Sequence, residues 1–213
     1  MKKTIFSLLI FGAILSASPI PVTFVSATSD IGPYTLNVNG QNVQAMCMDD
    51  FLHVSANETW NANVTAVNST DFSNTYFGNQ TVSAYGYTLT SANIYTMEAY
   101  LFSQITQPNA DRTDIQQAAW AIMDQNTLNN VINSGNTAVE NVLGQALANY
   151  SSFDASSYEI LSDTTTGSDA AQEFMTQGSA APEPATFALF GLGFVAAGAT
   201  RFLRKKKKLD AQA

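Results

Sequence analysis

The spacing of apolar residues changes character several times along the chain. An almost unbroken apolar run covers residues 5–15. Further on, Tyr34, Leu36 and Val38 alternate with polar residues, Asn39-Gly40 supplies a two-residue hairpin signal, and Val43, Ala45 and Cys47 alternate on the return strand. Cys47 therefore shares a face with Val43 and Ala45, the face expected to be buried, and His53 would join it if the strand ran that far. Residues 56–90 are rich in Asn, Thr, Ser and Tyr, which predicts short strands and loops around residues 64–67 and 82–89. At Ser91 the period lengthens. Ile94, Met97, Leu101, Phe102 and Ile105 recur at helical spacing and predict a helix over residues 92–105 that stops before Pro108. A second helix begins at Thr113 with an apolar stripe of Ile115, Ala118, Ala119, Ile122 and Met123, and a third covers residues 137–149 through Val139, Val142, Leu143 and Ala146. Residues 158–162 and 172–176 read as two closing strands about a turn at Gly167. No internal repeat is visible. The predicted class is α+β: an antiparallel β-sandwich or barrel-like sheet built from N- and C-terminal strands, with an inserted helical cluster.

Composition narrows the class. The chain has 213 residues, 46% of them hydrophobic and 12% charged, too few charges for a disordered chain and enough length for one or two cored domains. The net charge of -8 conceals a segregation. Lys2 and Lys3 open the chain and Arg201, Arg204, Lys205, Lys206, Lys207 and Lys208 nearly close it; between residues 28 and 181 stand one basic residue, Arg112, and fifteen acidic ones. A surface that acidic repels nucleic acid and anionic lipid, so neither is expected as a partner.

The basic ends read as addresses. Met1-Lys2-Lys3 followed by the apolar run has the form of a secretory signal peptide, residues 1–27. Val25-Ser26-Ala27 places signal-peptidase cleavage after Ala27, with a cut nearer Ala17 as the alternative. At the other end, Pro182-Glu183-Pro184 precedes an apolar stretch over residues 185–200 and then the basic cluster, the pattern of a C-terminal anchor with its lysines in the cytoplasm. Tripeptide, apolar segment and basic tail in this order resemble the PEP-CTERM sorting signal of exopolysaccharide-producing Gram-negative bacteria. The resemblance implies transient inner-membrane anchoring through residues 185–203, recognition by an exosortase, cleavage near Pro182, Glu183 and Pro184, and delivery to the outer surface or extracellular matrix. The expected organisation is signal peptide 1–27, domain 28–177, linker 178–181, sorting signal 182–208 and tail 209–213.

Cys47 is the chain's single cysteine and His53 its single histidine. One Cys excludes a disulfide framework and a Cys-rich zinc site. Asp49, Asp50 and the group Asn109, Asp111 and Asp114 lack the spacing of a calcium loop, so no metal or cofactor is expected. A lone thiol in an exported protein can be an inert buried hydrophobe, half of an intermolecular disulfide, a nucleophile, or a partner in another intramolecular bond. Ala45-Met46-Cys47-Met48 followed 69 positions later by Ile115-Gln116-Gln117-Ala118-Ala119-Trp120 resembles the thioester domain of bacterial surface adhesins. The resemblance implies that Cys47 supplies the sulfur and Gln116 the acyl group of an internal thioester, with Ile115, Ala119 and Trp120 supporting the motif. It further implies acylation of a surface polysaccharide hydroxyl or a protein nucleophile. One acylation consumes such a bond, so the protein is not expected to be a turnover enzyme. Three other readings stand beside this one. Thr113-Asp114-Ile115-Gln116 fits a capping box in which Gln116 folds back on its own helix. A domain of the same fold without the bond would be a structural component of a biofilm or exopolysaccharide matrix. A Cys47-His53 pair would suggest a hydrolase.

Overall fold

The computed structural model describes residues 18–27 and 31–178. In chain order its elements are strands β1 (Ile20–Ala27), β2 (Tyr34–Val38), β3 (Gln41–Cys47), β4 (Thr59–Ala66), β5 (Thr81–Ala84) and β6 (Tyr87–Thr90), helices α1 (Ser91–Ile105), α2 (Arg112–Met123), α3 (Gln125–Ser134) and α4 (Thr137–Asn149), and strands β7 (Tyr158–Asp163) and β8 (Phe174–Gln177). Six strands close into an antiparallel barrel in the order β1-β2-β3-β8-β7-β4, and β5 pairs with β6 as a separate hairpin. The class is α+β, and of the two sheet forms expected the barrel is the one adopted.

The turn residues do what their chemistry dictates. Asn39 and Gly40 both take positive φ, 50° and 89°, so β2 and β3 fold back as a tight hairpin in which Leu36 faces Val43 and Tyr34 faces Ala45. Closure depends on the last strands, since Cys47 pairs with Phe174 and Phe174 in turn with Leu161.

The other side of the ring is closed by β1, whose Val22 and Phe24 pair with Val38 and Leu36 of β2 while Ile20 to Thr23 pair with β4. The pattern along the chain assigned these residues to the signal peptide. In the folded domain Val22 is fully buried and Phe24 nearly so, because they alternate with Thr23 and point into the barrel.

Two apolar layers result. The first fills the barrel: Val22, Phe24, Tyr34, Leu36, Ala45, Cys47, Trp60, Ala62, Leu161 and Phe174 come from all six strands. Phe174 is its hub, stacked on Trp60 with centroids 6.0 Å apart and edge-on to Tyr34 at 6.0 Å. The second lies between the outside of β3, β7 and β8, through Met46, Met48, Ile160 and Met175, and the helices, which contribute Ile94, Met97, Leu101, Ile115, Ala119, Ile122 and Leu143. The end of β3 is thus buried on both faces. It carries Cys47 inward and Met46 and Met48 toward the helices.

The helices start where short polar side chains can cap them. Asp111 accepts from Asp114 N at 3.3 Å to open α2, and Asn136 accepts from Val139 N at 3.4 Å to open α4. Helix α3 was not read from the sequence. It buries only Leu128, it is rich in Asn, and its limits are set by Asp124, which accepts from Thr127 N at 2.7 Å, and by Gly135 at φ 66°.

Candidate functional site

Cys47 ends β3 with 1% of its surface exposed. Its thiol donates to the Asp49 carbonyl oxygen at 2.7 Å, since the chain leaves the strand and bends back over the sulfur. Burial pushes the thiol pKa well up, the Asp49 carboxyl adds to that, and the Trp120 indole N–H opposes it. Trp120 packs half-buried against the barrel core, and its Nε1 meets no acceptor in good hydrogen-bond geometry. The sulfur is therefore a protonated thiol in a dry setting.

Gln116 comes to the same place from α2. It is fully buried, and its Nε2 donates to the Cys47 carbonyl oxygen at 2.6 Å, joining residues 69 positions apart. This is not a capping-box geometry: Asp111, not Thr113, caps the helix, and the Gln116 amide leaves its own helix for β3. The amide oxygen Oε1 is buried with no hydrogen-bond partner. Gly32 packs close to it, and a Cβ added there would lie 3.0 Å from Oε1. Ile115 and Ala119, on the same helix, are buried in the layer between helices and barrel.

Three carboxyls are buried in the domain as well. Asp49 is fully buried; its Oδ1 accepts from Leu52 N at 2.9 Å and Phe51 N at 3.2 Å, and its Oδ2 from Glu173 N at 2.9 Å. Glu173 accepts through Oε1 from Tyr76 N at 2.8 Å and from the Ser162 hydroxyl, and through Oε2 from the Tyr95 hydroxyl at 2.8 Å. Burial pushes Glu173 up to about 7, the donated hydrogen bonds holding it below where burial alone would take it. Glu98 is fully buried in α1, both its oxygens lack a hydrogen-bond partner, and burial raises its pKa well above the carboxylate range. Sequence reasoning missed Glu98 and Glu173 as site residues. Glu98 carried a signal nonetheless, an acid set in the apolar stripe of Ile94, Met97, Leu101 and Phe102.

The remaining expected residues fall elsewhere. β3 ends at Cys47, so His53 does not share its face; it is exposed in the following loop while the sulfur bonds Asp49. Two open clefts, one of about 310 Å³ beside Phe102 and Tyr158 and one at the turn before α2, are not lined by Cys47 or Gln116. Pro182, Glu183, Pro184, Arg201, Arg204 and Lys205 to Lys208 lie outside the described residues, as does the apolar stretch before the basic tail. Among the described residues, no helix is long and apolar enough to cross a membrane.

Residues 180–206 match the PEP-CTERM protein-sorting motif. The match spans the tripeptide, the apolar segment and the start of the basic cluster, and it supports an exported, exosortase-sorted surface protein that is anchored in a membrane during sorting. No curated protein and no solved structure matches the chain.

Proposed function

We propose that this exported, exosortase-sorted domain attaches covalently to its surroundings through an internal thioester between Cys47 Sγ and Gln116 Cδ. The observation that carries the reading is the meeting of the single cysteine and Gln116 in one water-excluded place, with Nε2 bonded to the Cys47 carbonyl and Oε1 left bare. In forming the bond, the Cys47 S–H and Gln116 Cδ–Nε2 bonds break, Sγ–Cδ forms, and the thiol proton leaves on ammonia. Holding thiol and amide together makes an otherwise slow exchange effectively unimolecular, and exclusion of water protects the product from hydrolysis. Attack by a polysaccharide hydroxyl or a protein amine on Cδ then frees the thiol and leaves an ester or amide on residue 116.

Processing follows from the same domain. Signal peptidase cuts near Ala17 in this reading, since a cut after Ala27 would discard β1. The sorting motif brings the domain to the surface.

The competing reading is a matrix component with a plain thiol, favoured by the Cys47 hydrogen bond to Asp49. Intact mass of freshly purified protein separates the two. The thioester removes ammonia, about 17 Da, blocks native alkylation of Cys47, and returns a thiol on adding methylamine. An unshifted mass with Cys47 alkylated as soon as the fold is opened would overturn the reading.

A further inference from the structure

A sulfur buried as deeply as that of Cys47 has to be uncovered before anything outside the fold can reach it, and the stretch of chain lying over it can be named. After β3 the chain bends back, so that the Asp49 carbonyl oxygen lies 2.7 Å from Sγ, while Asp50, Phe51 and His53 beyond it are exposed. On that side a single stretch of chain separates the sulfur from water. Asp49 fastens it twice. Its carboxyl accepts from Phe51 N and Leu52 N through Oδ1, at 3.2 and 2.9 Å, and from Glu173 N through Oδ2 at 2.9 Å, which ties the stretch to the residue before β8, 124 positions away. Its carbonyl oxygen accepts from Gln172 Nε2 at 3.2 Å as well as from the thiol. Little else holds residues 49–52. Their one buried apolar side chain, Leu52, belongs to neither of the two apolar layers. A segment with so little apolar anchorage belongs to the part of a fold that opens before the rest.

We propose that Asp49 is a positioning residue for the site: its carboxyl latches residues 49–52 over Cys47, and reagents reach the sulfur, or the bond it forms, by release of this segment while barrel and helices stay folded. The latch goes beyond the thioester reading and stands without it, because the same segment covers a plain thiol. Under that reading it keeps water from the bond until a target arrives. Three backbone N–H groups from two distant parts of the chain share one carboxylate, so loss of that group frees all three together. An ionised carboxyl accepts at both oxygens, whereas an amide accepts at one and presents N–H at the other. Asn in this place could keep the bonds to Phe51 N and Leu52 N, but it would turn a donor toward Glu173 N.

The test reads two rates in the full-length protein, for the wild type, Asp49→Asn and Asp49→Ala. One is amide hydrogen exchange at Phe51, Leu52 and Glu173. The other is modification at the site in urea below the unfolding midpoint, by iodoacetamide where Cys47 is a free thiol and by methylamine where the bond has formed. In the wild type the three amides should exchange together and faster than the ladder amides of β3 and β7. Modification should hardly change with urea, because opening a few residues exposes little surface. Asp49→Asn should speed exchange at Glu173 and modification at the site by about tenfold or more, and Asp49→Ala should extend the faster exchange to Phe51 and Leu52. A merely structural role would lower the urea midpoint and leave modification tied to global unfolding. If wild-type modification climbs with urea as steeply as unfolding itself, the latch is overturned, whether or not either variant folds. Folded variants that are modified at the wild-type rate overturn it too. The mass shift that decides the thioester is read separately, so either idea can fail without the other.

Discussion

Removing residues 18–27 tests whether β1 belongs to the mature domain. A version starting at Thr28 lacks the strand that joins β2 to β4, and with it the side chains of Val22 and Phe24, 0% and 8% exposed. Burying two such side chains is worth about 3 to 6 kcal/mol together. The lost ladder bonds, about 1 kcal/mol each net, are roughly offset by the backbone entropy no longer spent in ordering the strand. The barrel would also open, baring β2 and β4 as edges and leaving Leu36, Trp60 and Phe174 without their cover. Against a total of about 5 to 15 kcal/mol for a domain, this removes most of the stability. Urea denaturation of versions starting at Ser18 and at Thr28 should show a midpoint lower by about 2 M or more in the shorter one, or no folded baseline at all. N-terminal sequencing of the exported protein should accordingly begin near Ser18. A Thr28 version with an unchanged midpoint, or a mature protein beginning at Thr28, would refute the reasoning.

Two further predictions concern the site and its setting. Gly32→Ala would place a Cβ 3.0 Å from Gln116 Oε1 and 3.3 Å from the Tyr34 ring. It should destabilise by about 1 to 3 kcal/mol and lower the fraction of protein that has lost ammonia. Gly144→Ala, in open space within α4, should instead stabilise by up to about 1 kcal/mol, and the reverse order of the two would contradict the packing around Oε1. Glu173 links stability to pH. With a pKa of about 7 in the fold against the usual 4.5, the folded protein holds a proton that the unfolded chain releases between those values. Its contribution is full below that window and declines as pH rises, by about 3 kcal/mol across it. The urea midpoint should fall from pH 5 to 7.5, and Glu173→Gln should flatten the fall, leaving the residue due to Asp49 and Glu98, both also raised. A midpoint that rises over this range would refute the assignment.

Much of the architecture was legible because local chemistry and fold agree. Asn39-Gly40 is a hairpin signal on its own, and the stripes beginning at Ile94 and Ile115 place α1 and α2 within a residue or two at each start. Residues 137–149 form α4 as the pattern indicated. What escaped did so for identifiable reasons. The alternation of Val22 and Phe24 follows an apolar leader and ends in the small residues Ser26 and Ala27, so a barrel strand looks like the end of a signal peptide. Helix α3 buries a single residue, and its stripe is lost among asparagines. β4 runs from Thr59, well before its apolar centre, because pairing with β1 and β7 rather than its own hydrophobicity extends it.

By itself the chain's order of residues determined the basic ends with their sorting motif, the acidic middle, the α+β class, and the pairing of a lone cysteine with a helix-borne glutamine as a question worth asking. Each of these depends on interactions between near neighbours or on simple counts. Only the tertiary structure decided that the sheet closes through β1, that Gln116 turns from its own helix cap to the Cys47 carbonyl, and that Glu98 is buried in α1 with neither oxygen partnered. Those outcomes hang on contacts between residues 30 to 130 positions apart, where burial and the requirement to pair or abandon polar groups override local preference.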